Sequence, residues 1–455
     1  MLQLNLTASS SSTVVSATRR MMLRSRFAGK QSSAAAAARI STKTSNPPAP
    51  SCFMNSRRSF SSSTTTFSQN SSLYTWGTNN SGSLLQEDSD DSKIDSKGIL
   101  WEPQPAAASL LDGNKLVDIC CGHSETMIIT EDGRVWVTGE NKNGQLGLGH
   151  KNPVATPTEL KVDGVDKFRK GVIGINTGAL ISENGDLYTF GFGGSALQGV
   201  GCLGQGDGES YLTPKLVESL VEDGCQVEDV TLGESHTTVL TTEGEVLTTG
   251  ASNYGRLGNG ETSEDTLYFD VVEILPSENI TQIAGGESFT LALTKEGIIY
   301  GWGKNAKGQL GTGYGMAVDM YAMEEIPTPM EGDELANRKV TKIAAGTNHS
   351  ACITSGGEIF WWGSSLHLEP VRVSEVLHTK IIDIACGLDY TLALSEDQEL
   401  YAWGAGKTGV LGIGPDTKTV HQAQRIRSLT GDSTDQEITH LSAGSMLAAC
   451  LVNKN

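Results

Sequence analysis

The sequence lacks several features that would assign a protein to a common functional class. It has no run of 18 apolar residues, which excludes a membrane-spanning helix. Its eight cysteines form no Cys-x-x-Cys pair, and no group of Cys, His and carboxylate residues has the spacing of a metal site. Acidic residues outnumber basic ones by 53 to 34, and the resulting net charge of −19 argues against a protein that coats nucleic acid.

Acidic residues are absent from the first 72 positions, which hold nine of the 34 basic residues. The remaining chain therefore carries 25 basic and 53 acidic residues, a net charge of −28. An Arg-rich, Ser-rich segment without acidic residues is typical of an organelle transit peptide. We predict a mitochondrial transit peptide over residues 1–60, a linker over residues 61–72 and a location in the mitochondrial matrix. A plastid address and a basic tail on a cytosolic protein are the alternatives.

The end of this segment carries a candidate processing sequence. Arg58, Phe60 and Ser61 resemble the mitochondrial pattern in which Arg precedes an aromatic residue and a small residue follows. These residues predict cleavage between Phe60 and Ser61.

One pattern recurs seven times in the remaining chain: an apolar strand ends in Gly and leads into a Gly-rich turn. The last glycines of these strands are Gly77, Gly139, Gly191, Gly250, Gly303, Gly363 and Gly404. Several copies continue into Asn-x-x-Gly-Gln-Leu-Gly, as at residues 141–147 and 305–311. A period of about 50 residues with four short strands in each repeat is the signature of a β-propeller.

A second pattern precedes most of these strands, in which an apolar strand, a small residue and Gly lead into another strand and a tight turn. The chain enters the repeat halfway, at residues 73–77, and ends with the opposite half, at residues 438–451. Joining the two halves completes a seventh unit and removes an exposed sheet edge. We therefore predict an all-β fold, a seven-bladed β-propeller over residues 73–455 that is closed by pairing of the C-terminal half-blade with the N-terminal half-blade.

These hairpins, together with Ala-Gly-x-x-His strands such as residues 345–349, resemble the regulator of chromosome condensation repeats. The resemblance covers residues 73–455, and we interpret the chain as a mitochondrial-type member of that family. It implies a propeller used as a binding platform. Family members include an exchange factor for the GTPase Ran, ultraviolet sensors, ubiquitin-ligase modules and organelle gene-expression factors, and the fold alone does not choose among these functions.

Segments between the repeats supply the candidate interaction residues. They are an acidic loop at residues 87–95, a lengthened hairpin at residues 192–201 and a long insertion at residues 313–339. The candidates are Asp90, Asp91, Phe192, Leu197, Met316, Met320, Tyr321 and Met323. The three methionines would form one apolar stripe on a short helix, which could face a partner or cap the propeller itself. For the acidic loop, a solvated turn is the favoured interpretation.

Other conspicuous residues are predicted to be structural. His236 and His349 share a repeat position that aromatic and aliphatic residues also fill, so we expect each imidazole to bond to the backbone of a neighbouring blade. His123 and Glu125 have no nucleophile beside them, and no catalytic residue is predicted. Residues 404–409 match Gly-x-Gly-x-x-Gly but are in register with the repeat, so we predict no nucleotide or other cofactor.

The tryptophans are also assigned to the core. Trp76, Trp136, Trp302, Trp362 and Trp403 are expected to share one repeat position inside the propeller.

Two functional hypotheses follow from the sequence and the resemblance. The first is a non-catalytic, monomeric platform that supports mitochondrial ribosomal RNA or ribosome assembly, or RNA processing, through partner proteins. RNA would be reached indirectly, since the charge of −28 opposes a broad nucleic-acid surface. The second is a guanine-nucleotide exchange factor for an organellar small or dynamin-like GTPase, with the hairpin at residues 192–201 as the element that displaces the nucleotide.

Overall fold

The computed structural model describes residues 71–86, 94–106, 115–260, 262–276, 279–313, 315, 321–330, 332–429 and 436–454. The predicted transit peptide lies outside these residues. So do the site candidates Arg58, Phe60, Ser61, Asp90, Asp91, Met316 and Met320.

The described chain consists almost entirely of short antiparallel strands. The first half contains β1 (Ser71–Thr78), β2 (Ile99–Pro105), β3 (Leu116–Cys121), β4 (Glu125–Thr130), β5 (Val135–Gly139), β6 (Val154–Leu160), β7 (Phe168–Ile173), β8 (Thr177–Ser182), β9 (Leu187–Gly191), β10 (Gly194–Ser195), β11 (Gly199–Val200), β12 (Tyr211–Leu216), β13 (Val227–Leu232), β14 (His236–Thr241), β15 (Val246–Gly250) and β16 (Thr266–Val271). The second half contains β17 (Ile280–Gly285), β18 (Phe289–Thr294), β19 (Ile299–Lys304), β20 (Met323–Pro329), β21 (Val340–Ala345), β22 (His349–Thr354), β23 (Ile359–Gly363), β24 (His367–Arg372), β25 (Ile381–Cys386), β26 (Tyr390–Ser395), β27 (Leu400–Ala405), β28 (Thr419–Arg425), β29 (Gln436–Ala443) and β30 (Leu447–Lys454).

Helical structure is limited to short turns. One α-helix, α1 (Glu218–Glu222), and three 3-10 turns occur within the described residues, and none of these helices could cross a membrane. The 3-10 turns are Asn80–Gly82, Asn253–Gly255 and Ser374–Val376.

Seven four-stranded sheets form the blades, which we number from the N-terminus. From inside to outside, blade I is β29-β30-β1-β2, blade II is β3-β4-β5-β6 and blade III is β7-β8-β9-β12. Blades IV to VII are β13 to β16, β17 to β20, β21 to β24 and β25 to β28. The innermost strands contact one another around a ring, from β3 to β7 and on through β25 to β29 and β3. The prediction of an all-β, seven-bladed propeller is confirmed.

Blade I combines strands from both ends of the chain. The strand β1 begins at Ser71, two residues before the predicted start, and lies between β2 and β30. Its register with β30 runs without a break from Ser71 opposite Asn453 to Gly77 opposite Leu447. The two chain ends therefore belong to a single sheet.

Each innermost strand carries a β-bulge near its start, and the residue that follows the bulge is polar. This residue is Asp118 in blade II, Lys170 in III, Asp229 in IV, Gln282 in V, Lys342 in VI, Asp383 in VII and His440 in blade I. Because a bulge redirects a side chain, these residues reach the neighbouring blade. Lys170 Nζ lies 2.6 Å from Asp229 Oδ1, Lys342 pairs with Asp383, and Gln282 exchanges two 3.0 Å hydrogen bonds with the backbone of Ile343.

The Asn-x-x-Gly-Gln-Leu-Gly segments form the connections between the third and fourth strands of a blade. In blade V, Asn305 Oδ1 accepts a hydrogen bond from the Leu310 backbone N–H, which closes the loop, and Leu310 is fully buried. The loop also reaches the next blade, where the Gln309 carbonyl accepts hydrogen bonds from Trp362 Nε1 and Ser350 Oγ, both at 2.9 Å. The motif therefore joins consecutive blades.

The same contact crosses the junction between the two ends of the chain. Trp76 Nε1 in blade I donates to the Val410 carbonyl of blade VII at 2.8 Å. Trp76, Trp302, Trp362 and Trp403 share this position, one residue before the strand-end glycine. The prediction of a shared position is wrong for Trp136, which is buried in the core but lies three residues before Gly139 and contacts Arg134.

Removal of β30 tests how far the ring depends on its last strand. The strand pairs with both β1 and β29, and its residues Leu447 and Leu451 are fully buried. We expect truncation after Ser445 to lower the melting temperature by about 10 °C or more, because several buried apolar side chains are lost at about 1.5–3 kcal/mol each. Circular dichroism melting would measure the change.

A chain that lacks only the last two residues is the matched control and should melt like the full chain. A truncation after Ser445 that left the melting temperature unchanged would show that the ring does not need this strand.

Candidate interaction surface

Most of the segments that interrupt the repeats belong to connections at one end of the blades. In every blade the turn between the first and second strands and the connection between the third and fourth strands lie at the same end of the sheet, because consecutive strands are antiparallel. We call this end the loop face. The lengthened hairpin belongs to the third-to-fourth connection of blade III, and Gly313, Gly315, Tyr321 and Ala322 belong to that of blade V. Residues 87–93 of the acidic loop lie outside the described residues. Residues 330–339, the remainder of the predicted long insertion, lie on the opposite face.

The lengthened hairpin forms a small two-stranded sheet of its own. Gly194 pairs with Val200 and Ser195 with Gly199, and the turn is closed by a 3.1 Å hydrogen bond from the Gln198 N–H to the Ser195 carbonyl. Gly194 and Gly199 have φ values of 115° and 88°, which favour glycine. Leu197, at the tip, is 95% exposed. The hairpin therefore presents an apolar side chain to solvent.

The base of this hairpin is fixed to blade IV. Asp265 Oδ2 accepts a 2.9 Å hydrogen bond from the Val200 N–H, and Asp265 Oδ1 accepts a 3.0 Å hydrogen bond from the Ser252 N–H. Phe192 is half-buried at the start of the hairpin, where its N–H donates to the Asn176 carbonyl at 3.0 Å. These bonds hold both sides of the hairpin base, so its tip is presented on a rigid support.

Charged residues of blades IV and V interact beside the hairpin. Burial lowers the pKa of Arg256, and the neighbouring acids Glu234, Glu287 and Asp265 oppose that change. Burial and the nearby Glu234 carboxylate raise the pKa of Glu287. The backbones of the two acids are joined by a 2.8 Å hydrogen bond from the Glu234 N–H to the Glu287 carbonyl. The next blades thus supply acidic and basic groups that the hairpin sequence lacks.

Exposed apolar side chains follow the loop face across four consecutive blades. They are Leu197 in blade III, Tyr254 in blade IV, Tyr321 and Met323 in blade V and Leu366 in blade VI. The Tyr254 ring lies 5.4 Å from the Arg256 guanidinium and 5.2 Å from the Lys304 ammonium. Aromatic side chains beside cations are common at the centres of protein interfaces.

The candidate residues from the sequence are only partly brought together. Leu197, Tyr321 and Met323 lie on the loop face, in blades III and V. Met323 begins the strand β20, opposite Lys304, so it does not extend a helical methionine stripe. Sequence reasoning missed Arg256, Asp265, Glu234 and Glu287, and a signal for Arg256 existed, because it replaces Gln in the repeated motif.

Both buried histidines bond to a threonine side chain of the next blade, and His349 also has the expected hydrogen bond to that blade's backbone, at Tyr390. His236 Nε2 lies 3.1 Å from Thr290 Oγ1, and His349 Nε2 lies 3.0 Å from Thr391 Oγ1. Burial lowers the pKa of His236 to about 3 and that of His349 to about 4. Both imidazoles are therefore neutral contacts between blades.

Glu125 occupies the same position in blade II. Its carboxylate accepts 2.9 Å hydrogen bonds from the Ser124 N–H and from Gln145 Nε2, and burial raises its pKa to about 7. No group of three or more Cys, His, Asp or Glu side chains among the described residues could hold a metal ion. The loop face thus offers apolar and charged contacts, which suit binding of a macromolecule.

A seven-bladed propeller with these interblade loops defines a class of repeat proteins built to present surfaces to partners. The profile of the RCC1-like domain matches residues 60–369, and the regulator of chromosome condensation (RCC1) repeat matches residues 381–409 and 397–451. The chain belongs to the RCC1-like domain family.

Several curated proteins resemble this chain over part of their length. The ultraviolet-B receptor UVR8 of Arabidopsis thaliana is 33% identical over 64% of this chain and 60% of its own length. A secretion-regulating guanine nucleotide exchange factor of Bos taurus is 32% identical over 50% of this chain and 48% of its own length. The mitochondrial RCC1 domain-containing protein RUG3 of Arabidopsis thaliana is 29% identical over 55% of this chain and 54% of its own length. The chain thus spans between about half and 60% of the length of these relatives.

A solved structure shares the whole fold. Prp20p of Saccharomyces cerevisiae, described together with its binding to Gsp1p and histones, superposes with a TM-score of 0.72 at 21% identity, over 86% of this chain and 93% of its own. The family therefore contains exchange factors and interaction proteins, and its shared feature is the propeller.

The buried histidines predict that stability decreases in acid. An unfolded histidine has a pKa of about 6.5, whereas His236 and His349 have values of about 3 and about 4 in the folded protein. Between about pH 6.5 and pH 4 the unfolded chain binds more protons than the folded protein. The free energy of unfolding therefore decreases as the pH is lowered, by up to about 1.4 kcal/mol per pH unit for each histidine. Denaturant titrations at several pH values would measure this slope.

We expect the variant His236→Phe/His349→Phe to have a flatter slope, since Phe289 fills the same position in blade V. Glu125→Gln is the opposite control. The Glu125 carboxyl keeps its proton up to about pH 7 in the folded protein, whereas in the unfolded chain it loses the proton near pH 4.5. Its contribution to the free energy of unfolding therefore decreases as the pH rises from about 4.5 to 7, and this decrease should be absent from Glu125→Gln. Unchanged slopes in both variants would contradict these assignments.

Proposed function

We propose that this protein is a non-catalytic interaction platform of mitochondria that supports ribosomal RNA or ribosome assembly, or RNA processing, by binding partner proteins through its loop face. The partner contacts the hairpin at residues 192–201 and the exposed apolar side chains of blades III to VI.

The proposed location is supported by composition and by a relative. Residues 1–72 are basic, Ser-rich and free of acidic residues, as import leaders are. The relative RUG3 carries the word mitochondrial in its name. The net charge of −28 after residue 72 favours protein partners over direct contact with RNA.

The observation that carries the proposal is the geometry of the hairpin. Leu197 is 95% exposed at the tip of a hairpin whose base is fixed by Asp265. A rigid apolar anchor loses little conformational entropy on binding, so it can contribute strongly to an interface.

Affinity capture from isolated mitochondria tests the platform. We expect the wild-type chain to recover ribosome-assembly or RNA-processing proteins, and Leu197→Asp to recover about tenfold less of them, because a charge would be buried at the contact. Quantitative mass spectrometry would measure the recovery.

The matched control is Leu377→Asp. Leu377 is 52% exposed and lies in the connection between β24 and β25, on the opposite face, so this variant should recover the same proteins as the wild type. Equal loss in both variants, or capture of no such proteins by the wild type, would refute the platform.

A second candidate function is guanine-nucleotide exchange on an organellar small or dynamin-like GTPase. The arrangement that favours it is the protruding hairpin beside Arg256, Glu234 and Glu287, since an exchange factor needs a wedge and charged groups that compete for the nucleotide's magnesium and phosphates. A curated relative is named as an exchange factor.

Release of labelled GDP measures this activity. We expect acceleration by the wild-type chain and its loss when residues 194–200 are replaced by two glycines, because the wedge is then missing. Glu334→Gln, on the opposite face, is the control and should release GDP like the wild type. No acceleration at any concentration, with the wild type and the shortened hairpin equal, would retire the exchange function.

A further inference from the structure

One junction between blades differs from the others. The third and fourth strands of blade VI, β23 and β24, are joined by only three residues, Ser364, Ser365 and Leu366. The corresponding connection in blade II runs from residue 140 to residue 153, and that in blade VII runs from 406 to 418. Blade VI therefore lacks the loop that reaches the next blade.

A cavity of about 420 Å³ lies on the loop face at this junction between blades VI and VII. Its lining includes Trp361, Leu366, Thr391, Trp403, Val420 and His421. This volume is within the range of sites that bind small ligands or short peptide segments.

The other blades show what normally occupies this position. Their loops place a fully or almost fully buried leucine between the blades, namely Leu84, Leu146, Leu203, Leu257, Leu310 and Leu411. The loop carbonyl beside this leucine accepts hydrogen bonds from the next blade, as Gln309 does from Trp362 and Ser350. Arg256 and Val410 accept from Trp302 and Trp76 in the same way.

Blade VII retains donors for such a carbonyl although blade VI has no loop to supply one. Trp403 corresponds to Trp362, and Thr391 corresponds to Ser350. Thr391 Oγ1 lies 3.0 Å from His349 Nε2, and its hydroxyl can donate to a carbonyl when that imidazole nitrogen carries the proton. Trp403 is only 3% exposed, and its Nε1 has no hydrogen-bond partner among the described residues. A buried N–H without an acceptor costs about 1–3 kcal/mol, so the site favours a ligand that brings a carbonyl.

An acceptor for the ligand's own N–H is present as well. In other blades a loop glycine donates to the outer strand of the next blade, as Gly313 does to the Leu368 carbonyl at 3.0 Å and Gly260 to the Glu325 carbonyl at 3.0 Å. The position equivalent to Leu368 in blade VII is His421, which lines the cavity. The junction thus offers donors for a carbonyl, an acceptor for an N–H and space for a leucine.

We propose that the cavity between blades VI and VII is a peptide-binding site, which takes a Gly-x-Leu-Gly turn from a partner protein in place of the missing loop. The leucine fills the space between the blades, the preceding carbonyl accepts hydrogen bonds from Trp403 Nε1 and Thr391 Oγ1, and a following N–H donates to the His421 carbonyl. The site goes beyond the proposed function, because it lies between blades VI and VII, away from the hairpin, and shares only Leu366 with the surface proposed above.

A peptide from this chain's own blade V loop is the direct probe. Residues 304–313, of sequence KNAKGQLGTG, contain the leucine and the glycines that the site should recognise. We expect this peptide, with blocked ends, to bind the full chain and to shift the indole N–H resonance of Trp403 in a ¹⁵N correlation spectrum. The same peptide with Asp in place of its leucine should bind at least about tenfold more weakly.

Variants of the protein separate the donors from general packing. Trp403→Phe and Thr391→Val should each weaken binding about threefold to tenfold, since each removes one hydrogen bond. Trp362→Phe is the matched control, because Trp362 already donates to Gln309, and it should bind the peptide normally. Melting curves of all variants would show that the fold is retained.

A graft supplies the loop within the chain. Replacing Ser364, Ser365 and Leu366 by residues 140–153 should abolish peptide binding and raise the melting temperature, because the cavity is then filled from blade VI itself.

Absence of binding to the wild type at about 1 mM peptide, or binding that the Trp403 and Thr391 variants and the leucine substitution leave unchanged, would overturn the proposal. Leu197→Asp should still bind the peptide, so failure of the hairpin's role and failure of this site are distinguishable.

Discussion

A hydrogen bond from one blade to a loop carbonyl of the blade before it joins most of the ring, and the junction between blades VI and VII lacks it. Each propeller blade contacts only its two neighbours, so the stability of the ring depends on every interface between consecutive blades. Trp362 with Gln309 and Trp76 with Val410 make this contact with the same geometry, the second of them between residues far apart in sequence. The loops that hold the disc together also form one of its faces, so stability and recognition depend on the same segments.

The sequence was sufficient for the number of blades because its signals are local. Strand-end glycines and the Asn-x-x-Gly-Gln-Leu-Gly turns mark each repeat by themselves. The surroundings of the hairpin were not predictable, since Asp265, which binds the hairpin base, and Arg256, which interacts with Asp265, come from the next blade. Trp136 was misassigned because its distance from Gly139 differs from that of the other tryptophans.

The junction between blades VI and VII had a visible trace in the sequence. The strand-end glycines Gly363 and Gly404 are only 41 positions apart, against 52 to 62 elsewhere. That spacing shows that blade VI has a shorter connection, but it does not show which hydrogen-bond donors of blade VII are left without an acceptor. Only the comparison of Trp403 with its equivalents shows that a donor persists without its acceptor. The hairpin and this cavity lie in different blades of one face, so a partner that engaged both would gain from the high effective concentration of the second contact.

Pairing of β1 with β30 has a consequence for how the molecule is made. Among the described strands, β1 is synthesised first and its neighbour in the sheet, β30, is synthesised last. Until β30 has been synthesised, Leu73 and Trp76 of β1 lack the neighbouring strand of their sheet, so the chain has a high contact order and a long period of vulnerability to aggregation.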